Sequence, residues 1–446
     1  MHPATRRRSP PASALPSPRC CLIPSKGRDR IMARAPRSPS AEPAGTSFPA
    51  WRTARRIIGH EQAIGTLHAA AASGRMPHAW LFAGPQGVGK ASLACAWARS
   101  LLARQATAMG AQEGKGTADF SLAAEHDSGP GLFDDEKVTP PSRSEGGQED
   151  EDFFALSADH PVFRQVAAGS HPDLLILDPE EMSAGEGGRA RATRQIRVED
   201  VRRIHRFYAH TASSEGWRIT LIDEAEAMNL SAANALLKIL EEPPARGLLI
   251  LVSHQPGRLL PTIRSRCRTL VFQPLTLSDM HDFLAEEAPE CDAPTRDAAA
   301  RLAEGAPGRA LNLLRNDGLT LYRELLGLLA DENVASGLQA RARFIEQVAG
   351  DPERHRLVLD LWRDLHARLV RFAVSPPAGK EEGPLPEEAV LLERWCCRSS
   401  PDEWIERWER TGRLIEQAER LYLDRKQVLW TLFAEDGLPG VEPHRS

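Results

Sequence analysis

Gly84-Pro-Gln-Gly-Val-Gly-Lys90 is the stretch that decides the fold. It matches the pattern G-x-x-x-x-G-K, follows the short apolar run 80–83, and precedes a helical pattern over 90–103. A buried strand, a glycine-rich turn and a helix in this order are the context that a phosphate-binding loop requires. Gly84, Gly87 and Gly89 allow backbone N–H groups to face a phosphate, and the helix N-terminus adds a positive dipole. Lys90 would reach the β- and γ-phosphates of a nucleotide.

The position after Lys90 departs from the pattern of an active loop. That position normally carries Ser or Thr, whose hydroxyl holds Mg²⁺. This chain has Ala91, and Ser92 is one residue further, about 100° around the helix. The damaged metal site favours a loop kept as a scaffold, with weak or absent ATP hydrolysis. Whether ATP with Mg²⁺ binds at all stays open at this point.

A second acidic motif follows another buried strand. Arg218 to Ile222 is apolar enough for a strand and ends at Asp223-Glu224. Asp223 would help to hold Mg²⁺, and Glu224 would orient water for hydrolysis. Because Ala91 removes a ligand of the metal, the catalytic role of Glu224 would be vestigial. Alone this signal is weak, but downstream of a phosphate-binding loop it is moderate.

The rest of the first half alternates strands with helices. Further strands are predicted at 173–177, 248–253 and 268–272, and helices at 61–73, 198–210 and 231–241, the last with Ser231 as N-cap. This alternation predicts a parallel α/β sheet covered on both faces. After Pro274 only helices are predicted, three short ones between Ser278 and Arg315 and a longer helical region to Glu435, whose last stretch begins at Ser400-Pro401.

Composition limits the class of protein. The chain has 446 residues, a net charge of −5 and 41% hydrophobic residues, as expected of a soluble protein with two or three domains. No apolar run reaches the ~18 residues of a membrane span, and the seven cysteines form no CxxC pair, which favours a reducing, cytoplasmic protein without a metal site. The Arg- and Pro-rich start lacks an apolar signal core; a transit peptide and a true start at Met32 are alternatives.

Taken together, the motifs resemble the clamp-loader branch of the AAA+ family. The matching stretches are Ile58-Gly-His-Glu61, Pro77-His-Ala79, the phosphate-binding loop, Asp223-Glu-Ala-Glu226, the run from Ala232 to Pro244, and Leu259 to Cys267 with its Ser-Arg-Cys ending. The resemblance covers about Trp51 to Arg315. Motor subunits of this family keep a hydroxyl after the loop lysine and carry a four-cysteine zinc module, and this chain has neither, so no zinc is expected.

The resemblance implies roles for three further residues. Arg266 of Ser265-Arg-Cys267 would act in trans as an arginine finger, reaching the ATP site of a neighbouring subunit. Ser253 falls at the sensor 1 position of the family, and Arg309 falls at the sensor 2 position. Together with Gly84, Gly87, Gly89, Lys90, Ser92 and Asp223, these two complete the expected nucleotide-binding set.

The resemblance also implies an architecture. It consists of a tail (1–50), a P-loop AAA+ domain with a RecA-like parallel sheet (51–273), a small three-helix lid (274–315), an all-helical collar (316–436) and a short tail (437–446). An acidic, disordered insertion is predicted over 105–158 from its many Asp, Glu, Gly and Pro residues.

The implied function is that of a non-motor subunit, a stator, in the clamp loader of DNA polymerase III, part of a holoenzyme whose activity belongs to the whole complex. Its partners would be gamma/tau motor subunits and a delta subunit in a hetero-pentamer, a sliding clamp, and primer-template DNA reached through the complex. Arg202, Arg203 and Arg206 either contact DNA phosphates or form a solvated helix face. The alternatives are an ATP-hydrolysing gamma/tau-type motor and an unrelated P-loop nucleotide kinase.

Overall fold

Five parallel strands form the sheet that organises the first half of the chain. The computed structural model describes residues 50–54, 56–113, 154, 156–184, 195–209, 216–331, 334–375 and 385–437. The strands are β1 (Ala79–Ala83), β2 (Leu174–Leu177), β3 (Arg218–Ile222), β4 (Gly247–Ser253) and β5 (Arg268–Val271). Their order is β2-β3-β4-β1-β5, and every pairing is parallel. The predicted α/β class is therefore confirmed.

Helices connect the strands. They are α1 (Ala50–Thr53), α2 (Glu61–Ala72), α3 (Lys90–Glu113), α4 (Pro161–Ala167), α5 (Pro179–Ala184), α6 (Val198–Ala209), α7 (Leu230–Glu241) and α8 (Pro261–Arg264). Because successive strand residues point to opposite faces, each strand supplies two cores. Trp80 and Phe82 of β1 are buried with Trp97 of α3 on one face, whereas Leu81 is buried with Leu236 of α7 on the other.

Every described element after β5 is a helix, as the sequence predicts. The helices are α9 (Leu277–Glu287), α10 (Ala293–Leu302), α11 (Pro307–Arg315), α12 (Gly318–Ala330), α13 (Val334–Ala349), α14 (Pro352–Val374), α15 (Pro386–Cys396), α16 (Pro401–Leu421) and α17 (Arg425–Gly437). One hydrophobic cluster runs through all of them, from Met280 in α9 to Phe433 in α17. The helices within residues 274–315, predicted as a lid, thus share a core with those within residues 316–436, predicted as a collar.

Helix starts follow from local capping chemistry. Ser400 and Glu403 form a reciprocal capping box at the start of α16, where Pro401 was expected as the first residue. The predicted cap of α7 was wrong by two residues. Asn229, not Ser231, is the N-cap, and its side chain accepts a hydrogen bond from the Ala232 N–H at 2.8 Å. Both residue types favour this position, so local pattern did not separate them.

The predicted start of the acidic insertion at 105 was also wrong. Helix α3 continues to Glu113, and the Gln105 side chain accepts a hydrogen bond from the Trp217 N–H at 2.8 Å. At the other end, Phe154 is buried in the same core as Trp97. The central part of the predicted insertion, 114–153, lies outside the described residues, as do the predicted tails 1–49 and 438–446.

Candidate nucleotide site and exposed arginine

The site lies at the carboxyl edge of the sheet. In a parallel sheet all strands end at the same edge, where ligands of α/β folds bind. Gly84 follows β1, Asp178 follows β2, Asp223 follows β3, and Ser253 ends β4. The N–H of Gly84 donates to the carbonyl of Ser253 at 3.3 Å, which joins the start of the loop to the neighbouring strand end.

The three loop glycines are required by backbone conformation. Gly84, Gly87 and Gly89 have φ angles of 156°, 77° and 104°, in the region that side chains rarely adopt. Space is also short, because a Cβ at Gly84 would lie 2.5 Å from the Phe272 carbonyl oxygen. All three glycines of the motif therefore occupy backbone conformations that favour glycine.

The loop lysine is engaged by the loop itself. Lys90 is 2% exposed, and its Nζ donates to the carbonyls of Gly84 at 2.7 Å and Pro85 at 2.5 Å. Burial lowers its pKa to about 8, while the charges of Asp223 and Glu226 act in the opposite direction. A phosphate would therefore have to draw the ammonium away from two carbonyl oxygens.

Two carboxyl groups accompany the lysine. Burial, together with the charge of Asp178, raises the pKa of Asp223 to about 7, while the charge of Lys90 acts to lower it. Asp178 is itself 6% exposed with a pKa raised by burial, and its Oδ1 accepts from the Glu180 N–H at 2.8 Å. Sequence reasoning missed Asp178, although it shows the same signal as Asp223, an acid directly after a buried strand.

The residues present do not fit the usual Mg²⁺ arrangement of such loops. Ala91 supplies no hydroxyl, and Ser92 is a half-buried residue one step further along α3. The carboxyls of Asp178 and Asp223 are the acidic groups that follow β2 and β3, and they do not replace the hydroxyl that is missing after Lys90. We derive no step through a metal ion at this site.

The acids after β3 differ in what they contact. Glu226 Oε1 accepts from the N–H groups of His254 at 2.9 Å and Gln255 at 3.2 Å, which fixes the segment after β4. Glu224 has a left-handed φ of 43°, and its Oε1 lies 4.0 Å from His254 Nε2. The Ser253 hydroxyl is fully buried and has no hydrogen-bond partner within the described residues. This hydroxyl is therefore a buried polar group at the carboxyl end of β4 that is available to a ligand.

Helix α11 closes directly onto the loop. The N–H of Gly308 donates to the Gly87 carbonyl at 2.9 Å, and a Cβ at Gly87 would meet the Arg309 backbone nitrogen at 3.0 Å. On another side, His60 Nε2 bonds the Val88 carbonyl at 2.8 Å. Protein groups therefore hold the loop from two directions.

Arg309 reaches the loop with its backbone but is paired elsewhere through its side chain. Its guanidinium forms an ion pair with Asp364 of α14. One and two turns further along α14, Arg368 and Arg371 contact Glu304 Oε1 at 3.3 and 2.8 Å. We call Asp364, Arg368 and Arg371 the α14 strip; it ties the residues before and in α11 to the longer helical region.

Arg266 lies apart from all of these groups. It lies two residues before the start of β5 at Arg268, so it sits at the amino edge of the sheet, about 13 Å of strand away from the carboxyl edge. Its side chain is 38% exposed and contacts Glu241 Oε1 at 2.9 Å and the Thr262 carbonyl at 3.1 Å. The structure therefore groups Gly84, Lys90 and Asp223 but separates Arg266 from them.

Part of the chain is similar to known subunits of DNA polymerase III. A sequence family described as DNA polymerase III, delta subunit, matches residues 153–276. The delta-prime subunit of DNA polymerase III from Pseudomonas aeruginosa is 33% identical over 236 residues, 53% of this chain and 55% of that protein. Over about half of its length the chain is similar to delta-prime subunits. This confirms the resemblance to the clamp-loader branch that the motifs carry.

A weaker similarity extends to gamma/tau subunits of DNA polymerase III. The DNA polymerase III gamma/tau subunit of Mycobacterium tuberculosis strain H37Rv is 28% identical over 356 residues, 75% of this chain and 52% of that protein. The chain thus spans about half the length of the delta-prime and gamma/tau relatives. Among solved structures, the Thermotoga maritima RuvB Holliday junction branch migration motor is similar over 77% of this chain and 86% of that chain. Its identity is 13% and its TM-score 0.35, too low to support an inference.

Two kinds of feature are absent from the described residues. No described helix is both long and apolar enough to cross a bilayer. Among the same residues, no group of three or more His, Cys, Asp and Glu side chains is placed to hold a metal ion.

Proposed function

We propose that the chain is a non-motor subunit of a DNA polymerase III clamp loader and donates Arg266 in trans to the ATP site of a neighbouring motor subunit. The position of Arg266 carries this proposal. It is exposed at the sheet edge opposite to the chain's own phosphate-binding loop, so it has no role at that loop. A guanidinium on a surface is the group that an adjoining active site uses to stabilise phosphoryl-transfer charge.

The chain's own loop supports the non-motor part of the proposal. Ala91 removes the metal-binding hydroxyl, and Lys90 is bonded to loop carbonyls. Arg309, at the family's sensor 2 position, pairs with Asp364 instead of being free to follow a nucleotide. By the relationship to delta-prime subunits, the partners are gamma/tau motors and a delta subunit, which together open a sliding clamp and place it on primed DNA.

The test is the clamp- and DNA-stimulated ATPase rate of a loader reconstituted with its partner subunits. Arg266→Ala should lower hydrolysis at the one site that it serves by about 10³-fold in the chemical step. Arg264→Ala removes an exposed arginine two residues away and serves as the matched control. Native mass spectrometry would verify that both variants assemble.

Glu241→Gln gives a second control. It removes the partner of Arg266 within the chain, and an exposed ion pair of this kind contributes only about 0–1 kcal/mol. Stimulated ATPase should therefore be kept or slightly raised in this variant. An assembled Arg266→Ala loader with the parent's ATPase and clamp-loading rates would refute the trans role.

A gamma/tau-type motor is the second candidate, because the M. tuberculosis gamma/tau match extends over 75% of the chain. The two candidates differ in the isolated protein. Sustained Mg-ATP turnover by the chain alone that is lost in Lys90→Ala would favour the motor. No turnover by the chain alone, together with stimulated ATPase in the assembled loader, would favour the non-motor subunit.

A further inference from the structure

Two thiols meet at the end of α15, far in sequence from the candidate nucleotide site. Cys396 is the last residue of α15, and Cys397 is its C-cap, with φ −79° and ψ −10°. Their Sγ atoms are 3.8 Å apart. Cys397 is exposed and Cys396 is half-buried, so a small molecule can approach both sulfurs from solvent.

The position of Cys396 is fixed by its surroundings. Its thiol donates to the Glu393 carbonyl at 3.1 Å, one helical turn earlier. Cys397 follows in helical conformation, which leads its side chain to the same end of the helix. The convergence of the two sulfurs therefore results from the backbone and from one hydrogen bond.

The number of available ligands selects the chemistry. A structural zinc centre needs four ligands, and the described residues hold no cluster of even three metal-ligating side chains. A disulfide would require the sulfurs to close from 3.8 Å to about 2.05 Å across adjacent residues. A single large, thiophilic atom bridging both sulfurs demands less movement.

We propose that Cys396 and Cys397 form a binding site for trivalent arsenicals, which we call the dithiol site. With an arsenic(III) oxide such as phenylarsine oxide, two As–S bonds form and two S–H bonds break. The two protons leave with the oxide oxygen as one water molecule. Arsenic stays trivalent, so no oxidant or reductant takes part.

The protonation state of the thiols sets the pH dependence of this reaction. Burial, with the neighbouring Cys397 thiol, raises the pKa of Cys396, so its sulfur is protonated at neutral pH. The thiolate is the nucleophile in oxidation and in bond formation to arsenic alike, so the rate of binding should rise with pH.

A pair of tryptophans lies beside the dithiol site. Trp395, directly before Cys396, is 1% exposed and stacks on Trp404 of α16, with ring centroids 5.7 Å apart and planes 3° apart. A ligand that bridges the two cysteines fixes the turn between α15 and α16, which carries this stack. Tryptophan fluorescence therefore reports on occupancy.

The experiment uses the full chain with Cys20 and Cys21 replaced by serine, because these two residues are also adjacent in sequence and lie outside the described residues. Phenylarsine oxide is the probe. Native mass spectrometry should show one adduct and loss of one water per adduct. Either Cys396→Ser or Cys397→Ser should weaken binding by about 10²-fold or more, since a second intramolecular contact supplies that much avidity.

Folded and unfolded protein must differ. Adjacent cysteines also meet in an unfolded chain, but there the two side chains are not held together. Binding in buffer should therefore be tighter than binding in urea and should change the fluorescence of the Trp395–Trp404 stack. Retention of the adduct in both single-serine variants, or equal affinity in urea, would overturn the dithiol site.

Discussion

Replacing Glu388 with glutamine removes one charge from a buried polar group inside the helical region. Glu388 is fully buried; its Oε2 accepts from the Tyr322 hydroxyl at 2.7 Å, and its Oε1 accepts from Arg368 Nε at 2.5 Å. Arg368 also donates to the Tyr322 oxygen at 2.8 Å. These three residues belong to α15, α14 and α12, so the substitution tests what joins those helices.

The size of the expected stability loss depends on the contacts that Arg368 retains in the variant. Removing one partner of a buried ion pair typically costs about 3–5 kcal/mol, because the other charge is left uncompensated. Arg368 retains a contact with Glu304 at 3.3 Å, and Glu304 is 41% exposed. Because Glu304 still compensates part of the charge of Arg368, the expected loss in the free energy of unfolding is near the lower end of that range, at about 3 kcal/mol. The glutamine side chain also places an amide N–H₂, a donor, toward the guanidinium or the hydroxyl, which are donors too. This mismatch keeps the loss of stability from being smaller.

The assay is urea unfolding followed by tryptophan fluorescence, which senses Trp362 and Trp395 in this part of the chain. A double-mutant cycle with Arg368→Met and Glu388→Met isolates the pair, since apolar replacement of both partners is often near neutral. The double variant should therefore be more stable than Glu388→Gln. A Glu388→Gln protein within about 1 kcal/mol of the parent would refute the buried-charge reasoning.

Two further predictions concern the carboxyl edge. Asp364→Asn should release Arg309 and speed amide hydrogen exchange at residues 305–312, whereas Asp360→Asn, on the same helix and paired with Arg363, should not. Equal exchange in both variants would contradict the role of the α14 strip. Asp223 has a folded pKa of about 7 against about 3.9 unfolded, so the folded state holds its proton more tightly and stability falls as pH rises from about 4 to about 7. The free energy of unfolding of Asp223→Asn, measured by urea titration, should exceed that of the parent by up to about 4 kcal/mol at pH 8. The two values should converge near pH 4, and a difference that does not change with pH would contradict this reasoning.

Local patterns were enough for the sheet and its loop. The strand before Gly84 and the strand before Asp223 are short apolar runs ended by glycine or acid, and both form where the pattern places them. The same holds for the start of α16 at Ser400-Pro401. In each case the deciding interaction lies within a few residues, so a single sequence contains it.

The remaining contacts depend on residues distant in sequence. The sensor 2 position of Arg309 was predicted, but its pairing with Asp364, 55 positions later, has no local signal. Buried charges such as Glu388 on a polar stretch look solvent-exposed until the fold brings Arg368 and Tyr322 to them. The roles of Ser92, Ser253 and Arg266 remain predictions, since their chemistry requires a nucleotide or a neighbouring subunit.

Helix α14 has a mechanical consequence. It is 23 residues long, about 34 Å, and one side of it is packed in the helical core through Trp362 and Leu365. Its strip of charges holds Arg309 and Glu304, and the residue before Arg309 is bonded to the loop at Gly87. A movement of the C-terminal helices would therefore be transmitted through α14 to the phosphate-binding loop. A displacement of the loop would be transmitted through the same helix in the opposite direction.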